Sequence, residues 1–222
     1  MKLSGVLVNS IQVPLVVAFL AWTAMSGANE VSLTEDMPYL DVDTPVGKVR
    51  IERIQDEDNV ITGGFARTSR KCPPFCIHPM DAAPGVTTVG EVELLDFMVK
   101  EVAKGSGILV DSRTPSWHLQ GTIPGAVNVP FTACTAELSD PDFLRAMEIF
   151  GVRRTDTGEL DYSQAKDLLM FCNGPWCDQS PRAIKGLMRR GYPPGKMHYY
   201  RGGMQMWQIL GLTTVPGVSD FE

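Results

Sequence analysis

Short, continuous apolar runs alternate with helix patterns from residue 87 onward. The runs cover residues 108–110, 127–129, 168–171 and 197–200. Strands without polar alternation are typical of parallel sheets that are covered on both faces. Their alternation with helices is the pattern of an α/β layer fold. We therefore predict a mainly parallel central sheet, flanked by helices on both faces, over residues 87–222.

Helix starts can be predicted from capping patterns. Thr88 and Glu91 have the spacing of a capping box, in which each side chain satisfies an orphan backbone N–H, so we expect the first helix to begin there. The Asp-Pro pair at 140–141 and the Ser-Pro pair at 180–181 predict two further starts, because proline fits the first helical turn. A short last helix is expected over residues 203–210.

Residues 29–86 differ in composition from the rest. This segment is rich in turn formers, including Gly63, Gly64 and several prolines. Residues 49–54 alternate apolar and charged side chains, which is typical of a half-buried strand. We predict an irregular, β-containing N-terminal extension and not a second core.

The first 28 residues have the pattern of a secretory signal. Lys2 precedes an apolar stretch that is interrupted by polar residues and is short for a membrane span. Small residues at Ser26 and Ala28 suit cleavage after Ala28. The alternative is an uncleaved anchor, which would make the membrane a partner. Both interpretations place the rest of the chain in the periplasm or another exported compartment.

Charge and cysteine content narrow the function classes further. The chain has 20 Lys and Arg against 26 Asp and Glu, a net charge of -6, which argues against binding nucleic-acid phosphates. Its five cysteines are an odd number, so at least one thiol is unpaired within the chain.

Residues 168–181 carry the strongest chemical signal. An apolar strand pattern leads directly into Cys172, then into a loop with glycine and proline, and then into a well-marked helix start. This order directs backbone N–H groups and a helix N-terminus at the Cys172 sulfur, and their partial positive charge stabilises a thiolate. The same N–H groups could hold a persulfide sulfur or the oxygens of an oxyanion.

Four motifs in order resemble those of the rhodanese superfamily. Residues 108–113 resemble its strand ending in Asp-x-Arg, and residues 121–130 resemble its Gly-His-Ile-Pro-Gly-Ala segment, with Thr122 in place of the His. Residues 180–192 match its helix after the cysteine, and residues 200–207 resemble its Gly-Gly-x-x-x-Trp motif. The resemblance covers about residues 87–217 and implies a rhodanese-like fold.

The resemblance also implies a function and a site. Cys172 would accept a sulfane sulfur as a persulfide, from a small donor such as thiosulfate or polysulfide, and pass it to a thiol, a partner redox protein or another nucleophile. No organic cofactor and no metal are implied. The residues expected to bind the substrate are Asn173, Gly174, Pro175, Trp176, Asp178, Gln179, Ser180 and Arg201. Asp111 and Arg113 are expected to be structural, beneath the loop.

The loop departs from the family pattern in two ways. Seven residues separate Cys172 from Ser180, which is longer than usual, and Cys177 stands where an arginine is common. Cys177 could resolve a persulfide on Cys172 by forming a disulfide, so we include it with Cys172 as catalytic. Alternatively, it forms a structural disulfide or only packs beside Trp176. The loss of the arginine removes a fixed cation that would help to bind thiosulfate.

A second cysteine pair, Cys72 and Cys76, lies in the extension with His78 nearby. A short-range disulfide between the two cysteines is the main expectation in an oxidising compartment. A metal site lacks an evident fourth ligand. A third interpretation places this loop over the active site, with Arg67, Arg70 and Lys71 supplying the missing positive charge.

Two other side chains have simpler interpretations. We expect Cys134 to be a buried structural thiol and His118 to lie in a surface segment beside Trp117. The function predicted overall is an exported sulfurtransferase acting through Cys172. The alternatives are a thiol-disulfide redox protein using Cys172 and Cys177, or a non-catalytic binding module with the same fold.

Overall fold

Parallel strands form the central sheet of the structure, a computed structural model that describes residues 31–44, 47–70, 72, 75–219 and 221. The strands are β1 (Leu40–Thr44), β2 (Gly47–Ile51), β3 (Thr87–Val89), β4 (Gly107–Asp111), β5 (Val127–Asn128), β6 (Arg153–Arg154), β7 (Leu160–Asp161), β8 (Asp167–Phe171) and β9 (Met197–Tyr200). The central sheet has the order β3-β9-β8-β4-β5, and every neighbouring pair in it is parallel.

Helices cover both faces of this sheet. They are α1 (Glu91–Phe97), α2 (Pro115–His118), α3 (Phe131–Thr135), α4 (Pro141–Ile149), α5 (Gln179–Arg189) and α6 (Gly203–Ile209). One apolar layer joins the sheet to α3, α4 and α5 and includes Phe143 and Leu187. The other joins it to α1 and α6 and includes Leu94 and Trp207. Since each fully buried side chain of this size contributes about 1.5–3 kcal/mol, both layers stabilise the sheet. The predicted fold class is confirmed.

Local capping signals explain three of the helix boundaries. The Asp140 carboxylate accepts a hydrogen bond from the Asp142 backbone N–H at 2.9 Å, so α4 begins as predicted. Helix α5 begins one residue before Ser180 and stops before Gly191, whose φ of 95° favours glycine. The last helix, α6, covers the expected segment.

The predicted capping box at Thr88 and Glu91 is wrong. Thr88 lies in edge strand β3, where its backbone is extended and paired with β9. Its hydroxyl donates to the Met80 carbonyl at 3.0 Å. The side chain that reaches back is Glu93, which accepts from the Gly90 N–H at 3.0 Å. The helix therefore begins at Glu91, because the same spacing recurs two residues later around Gly90.

The extension contains an antiparallel hairpin of β1 and β2, of which the sequence patterns predicted only one strand, overlapping β2. Ile51 at the end of β2 is fully buried in the layer with α1 and α6. The extension is thus attached to the sheet layer through apolar contacts. Within the described residues, no helix combines the length and apolarity needed to cross a membrane. The predicted signal peptide, residues 1–28, lies outside the described residues.

Candidate active site

Cys172 directly follows β8, the central strand of the sheet, at the carboxyl ends of β4, β8 and β9. Ligands of open parallel sheets bind at this edge. The start of α6 holds the next backbone groups in place. The Met204 N–H donates to the Cys172 carbonyl at 3.0 Å, and the Gln205 N–H donates to the Asn173 carbonyl at 2.9 Å. The sulfur-bearing residue is therefore fixed between a core strand and a second helix.

The Cys172 sulfur is buried, with only 1% of the residue exposed, yet its neighbours are polar. Burial by itself would raise the pKa of the thiol. Polar groups near the sulfur, namely the Cys177 thiol, the Ser180 N–H and hydroxyl and the Gly174 N–H, outweigh burial and hold the pKa of Cys172 below its ordinary value. No nitrogen or oxygen atom in the described part of the chain pairs with the Ser180 hydroxyl. The site therefore favours a thiolate on Cys172.

Cys177 is the protonated partner of that thiolate. Its hydrogen bond to Cys172 and its burial raise the pKa of Cys177 far above its ordinary value. The Cys172 sulfur lies 3.4 Å from the Cys177 carbonyl oxygen, and the Asn173 amide nitrogen lies 3.9 Å from the Cys177 sulfur. The interaction between the two thiols lowers the pKa of Cys172 and raises that of Cys177. A nucleophile beside a proton donor has this pattern.

The other predicted site residues divide into two groups. Asn173, Gly174, Gln179 and Ser180 provide groups that interact with one of the two sulfurs. Pro175 and Asp178 are half-buried in the same loop, while Arg201 faces the extension, where its Nη2 donates to the His78 carbonyl at 3.1 Å. The substrate contact predicted for Arg201 stays a prediction.

Trp176 connects the loop to the extension. Its indole N–H donates to the Gln205 Oε1 atom at 2.7 Å, and the Gln205 amide donates to the Phe65 carbonyl at 3.0 Å. The Arg70 guanidinium carbon lies 3.8 Å from the centre of the Trp176 ring. We call the described residues of 63–80 the cap, because this segment contacts the loop that carries the two cysteines through Arg70 and is linked to it through Phe65 and Gln205. Sequence patterns gave no signal for Gln205, whose role depends on contacts between distant segments.

Cys72 and Cys76 lie in the cap. The structure pairs their sulfur atoms as a disulfide, with Cα atoms 5.3 Å apart, and both sulfurs lie within 3.7 Å of the Arg70 carbonyl oxygen. The pairing in the protein stays a prediction, which the mass difference of two hydrogens between native and reduced protein tests. Among the described residues, no three His, Cys, Asp or Glu side chains gather as metal ligands would.

Buried charges support the loop from below. The Asp111 carboxylate ends β4 beside β8 and accepts hydrogen bonds from the Arg113 guanidinium, the nearest at 2.6 Å. It also accepts from the Thr122 hydroxyl at 2.8 Å and lies 2.8 Å from His118 Nδ1. Burial would raise the pKa of Asp111, but Arg113 and His118 outweigh it and lower that pKa to about 2.

The surface placement predicted for His118 is wrong. The residue is 1% exposed, and its second ring nitrogen lies 3.2 Å from the Val218 carbonyl oxygen. Helix α2, which begins at Pro115, turns the ring inward, where it bonds the carboxylate beside Thr122. Sequence patterns gave no signal for this role, which depends on contacts between separate segments.

Gly203 allows the close approach of α6 to the catalytic loop. Its φ is 56°, and a Cβ atom there would lie within 3 Å of the Cys172 carbonyl oxygen and the Gly174 nitrogen. We expect Gly203→Ala to lower the free energy of unfolding by about 2 kcal/mol, because it combines a left-handed backbone with overpacking. Urea denaturation measures this loss. Gly195→Ala, where a Cβ meets open space, is the control and should leave the midpoint nearly unchanged; equal midpoints for the two variants would contradict the expectation.

The chain is similar to a known family and to several known proteins. The sequence profile of the Rhodanese-like domain family matches residues 94–210, more than half of the chain. An HTH-type transcriptional regulator of Mycobacterium tuberculosis is 29% identical over 113 residues, which span 51% of this chain and only 39% of the regulator. A human single-domain sulfurtransferase is 21% identical over 56% of this chain and 96% of its own, with a TM-score of 0.38. A thiosulfate sulfurtransferase from Pseudomonas aeruginosa is 20% identical over 60% of this chain and 21% of its own, with a TM-score of 0.39. On the strength of the family match, this chain belongs to the rhodanese-like domain family.

Proposed function

We propose that this protein is a sulfurtransferase that moves a sulfane sulfur through a persulfide on Cys172. The observation that carries the proposal is the position of Cys172 at the end of the central strand β8, where polar groups of residues 174, 177 and 180 lower the pKa of its thiol. A structural cysteine in apolar packing has the opposite property, as Cys134 shows, because burial alone raises its pKa to about 12. Membership of the family supports the proposal but does not decide it, since one fold carries many functions.

The reaction would take two displacement steps. The Cys172 thiolate attacks the outer sulfur of thiosulfate, a new S–S bond forms, the S–S bond of thiosulfate breaks, and sulfite leaves with the electron pair. A thiolate acceptor then attacks the outer sulfur of the Cys172 persulfide. The acceptor leaves as a persulfide, and Cys172 returns to the thiolate. The N–H groups of Gly174 and Ser180, which favour the thiolate, would also hold the negative charge on the persulfide.

The described conformation is closed to a donor. Cys172 is almost fully buried, and the cap lies against Trp176 above the loop. The donor and the acceptor would therefore enter when the loop or the cap moves. Exclusion of water between turnovers would protect the persulfide from side reactions.

A thiol-disulfide activity is the second candidate, and the contact between Cys172 and Cys177 favours it. Oxidation of this pair would form a bond between the two sulfurs and pass two electrons and the single proton of the Cys177 thiol to an oxidant such as a partner disulfide, whose S–S bond breaks to give a thiol and a thiolate. The same pair could also act within sulfur transfer, since a Cys177 thiolate could displace sulfide from the Cys172 persulfide. Export of the protein is part of the proposal and rests on the sequence of residues 1–28.

Intact mass spectrometry tests these candidates. Reduced protein incubated with thiosulfate or polysulfide should gain about 32 Da, the mass of one sulfur atom. Peptide mapping should place the gain on Cys172. A loss of two hydrogens, with a disulfide between Cys172 and Cys177, would favour the redox candidate. An unchanged mass under both donors would contradict sulfur transfer and leave a binding module.

A further inference from the structure

The catalytic loop contains no cation of its own. Residues 173–179 include one charged side chain, Asp178, which is acidic. Arg182, the next arginine along the chain, is exposed on α5, with its guanidinium carbon 4.4 Å from the centre of the Phe131 ring. Arg201 donates to backbone carbonyls of the cap. A divalent anion that reaches Cys172 thus needs a cation from elsewhere, since the sulfur itself is negative.

Arg70 of the cap is a cation that lies against this loop. Its guanidinium covers the Trp176 ring at 3.8 Å, and Trp176 stands between the two cysteines in the chain. Its Nη2 atom donates to the Gly64 carbonyl at 2.7 Å and to the Arg67 carbonyl at 3.0 Å. Stacking and these two bonds hold the guanidinium in one plane, which is the preorganisation that oxyanion recognition requires.

The charge of Arg70 is not neutralised in the described part of the chain. No described carboxylate forms an ion pair with it, and no described residue accepts a hydrogen bond from its Nε or Nη1 atoms. Burial and the nearby charge of Arg67 lower the pKa of Arg70, whereas Cys177 acts in the opposite direction. A partly buried cation with unused donors is unfavourable unless an anion completes it.

We propose that Arg70 is the specificity-determining residue for anionic sulfane-sulfur donors such as thiosulfate, although it lies outside the rhodanese-like domain. The inference rests on the proposed function and adds the chemical class of the donor to it. Guanidinium N–H groups match the paired oxygens of a sulfonate group, so the unused edge of Arg70 would hold the oxygens while the outer sulfur faces Cys172. The cap would thereby replace the arginine that the loop lacks.

The position of Arg70 depends on the rest of the cap. The Phe65 ring packs on Trp117 with ring centres 5.7 Å apart, and the Phe65 carbonyl accepts from Gln205. These contacts fix the segment that supplies the Gly64 and Arg67 carbonyls. Donor specificity would therefore be set by the fit between the extension and the domain.

Steady-state kinetics with two donors test the proposal. With thiosulfate as donor, Arg70→Ala should raise KM about 10- to 100-fold and change kcat by less than about 3-fold, because a charged pair is lost in binding. With dimethyl trisulfide, a neutral donor, the same variant should keep the wild-type KM. The KM of Arg70→Lys for thiosulfate should lie between those of the wild type and Arg70→Ala, since lysine keeps the charge but lacks the planar guanidinium. Arg182→Ala, which removes another arginine that lies over an aromatic ring, is the matched control and should change the KM for neither donor.

A binding measurement separates this proposal from the activity. Cys172→Ser cannot form a persulfide, so calorimetric titration of this variant with thiosulfate reports recognition alone. Adding Arg70→Ala to it should weaken thiosulfate binding about 10- to 100-fold. Equal binding with and without Arg70, or equal kinetic losses for both donors, would overturn the proposal. Arg70-dependent binding without any sulfur transfer by the wild type would refute the sulfurtransferase and leave the anion site standing.

Discussion

Cys172→Ser is expected to reduce sulfur transfer from thiosulfate at least about 1000-fold, to the background of the assay. A serine hydroxyl is far less acidic than a thiol and cannot form a persulfide. The two backbone N–H groups that stabilise the thiolate would then serve no reacting atom. The rate of persulfide formation on a low-molecular-weight thiol acceptor measures the loss.

Cys134→Ala provides the matched control for this loss. Cys134 is fully buried in the layer with α4 and α5, and burial raises its pKa to about 12, so it contributes no nucleophile. The Cys134→Ala variant should keep transfer within about 3-fold of wild type once its folded fraction is matched. A Cys172→Ser variant that keeps more than a tenth of the rate would refute the role of Cys172.

The pH dependence of the reaction follows from the same hydrogen bonds. The pKa of Cys172 is lowered, so its thiolate persists below the pH range of an ordinary cysteine and is lost only as the pH falls through that lowered pKa. The alkylation rate of Cys172 should therefore rise with pH and level off earlier than that of a model thiol. Ser180→Ala removes a hydroxyl from the sulfur and should move the midpoint to higher pH. An unmoved midpoint would show that the Ser180 hydroxyl does not act on the thiolate.

Sequence patterns predicted the fold and the position of Cys172 because both depend on local signals. Apolar runs mark β4, β8 and β9, and the Ser-Pro pair at 180–181 marks the start of α5 within one residue. A strand that leads into a cysteine, a short loop and a helix places the cysteine at the carboxyl edge of the sheet, near the N-terminus of that helix. The backbone N–H groups of Gly174 and Ser180 near the Cys172 sulfur follow from that geometry, whereas the side-chain contribution of Cys177 does not.

The remaining features required contacts between distant segments. His118 belongs to the buried network of Asp111 only because α2 turns it inward and the chain near Val218 covers it. Glu93, not Glu91, accepts from the N–H at the start of α1, because β3 pairs with β9 through Thr88. Periodicity and spacing do not contain such pairings, since they are decided by tertiary packing.

The contacts of the cap also could not be predicted from local sequence signals. Three basic residues were candidates to compensate for the missing loop arginine, and sequence alone could not separate them. The stacking of Arg70 on Trp176 and its bonds to two carbonyls distinguish it from Arg67, while Lys71 lies outside the described residues. The Cys72–Cys76 pair lies directly beside its backbone carbonyl, so the shape of this turn and the placement of Arg70 are linked.

The buried Asp111 network determines whether the loop has a rigid support. The Ser112 N–H after β4 donates to the Phe171 carbonyl, one residue before Cys172, at 2.9 Å. Displacement of Asp111 would thus directly affect β8, the strand that precedes Cys172. Stability and site geometry depend on the same carboxylate.

Asp111→Asn is expected to lower the free energy of unfolding by about 3–5 kcal/mol. The variant leaves the fully buried Arg113 guanidinium without its counter-charge and replaces an acceptor-only group that faces Arg113, His118 and Thr122. Urea denaturation at neutral pH measures the change. Asp41→Asn, which breaks the exposed pair with Arg50, is the control and should leave the midpoint nearly unchanged. A loss for Asp111→Asn no larger than that of the control would refute the structural role of the network.

The same carboxylate predicts how the wild type loses stability in acid. Its folded pKa of about 2 lies below its ordinary value near 3.8, so its contribution is fully present above the unfolded pKa and is lost as the pH falls through the folded pKa. Linkage gives about 2 kcal/mol for this group between about pH 4 and pH 2. The Asp111→Asn variant cannot titrate there, so its free energy of unfolding should fall less steeply with pH over that window. Parallel slopes for the two proteins would mean that Asp111 is not the group that is protonated.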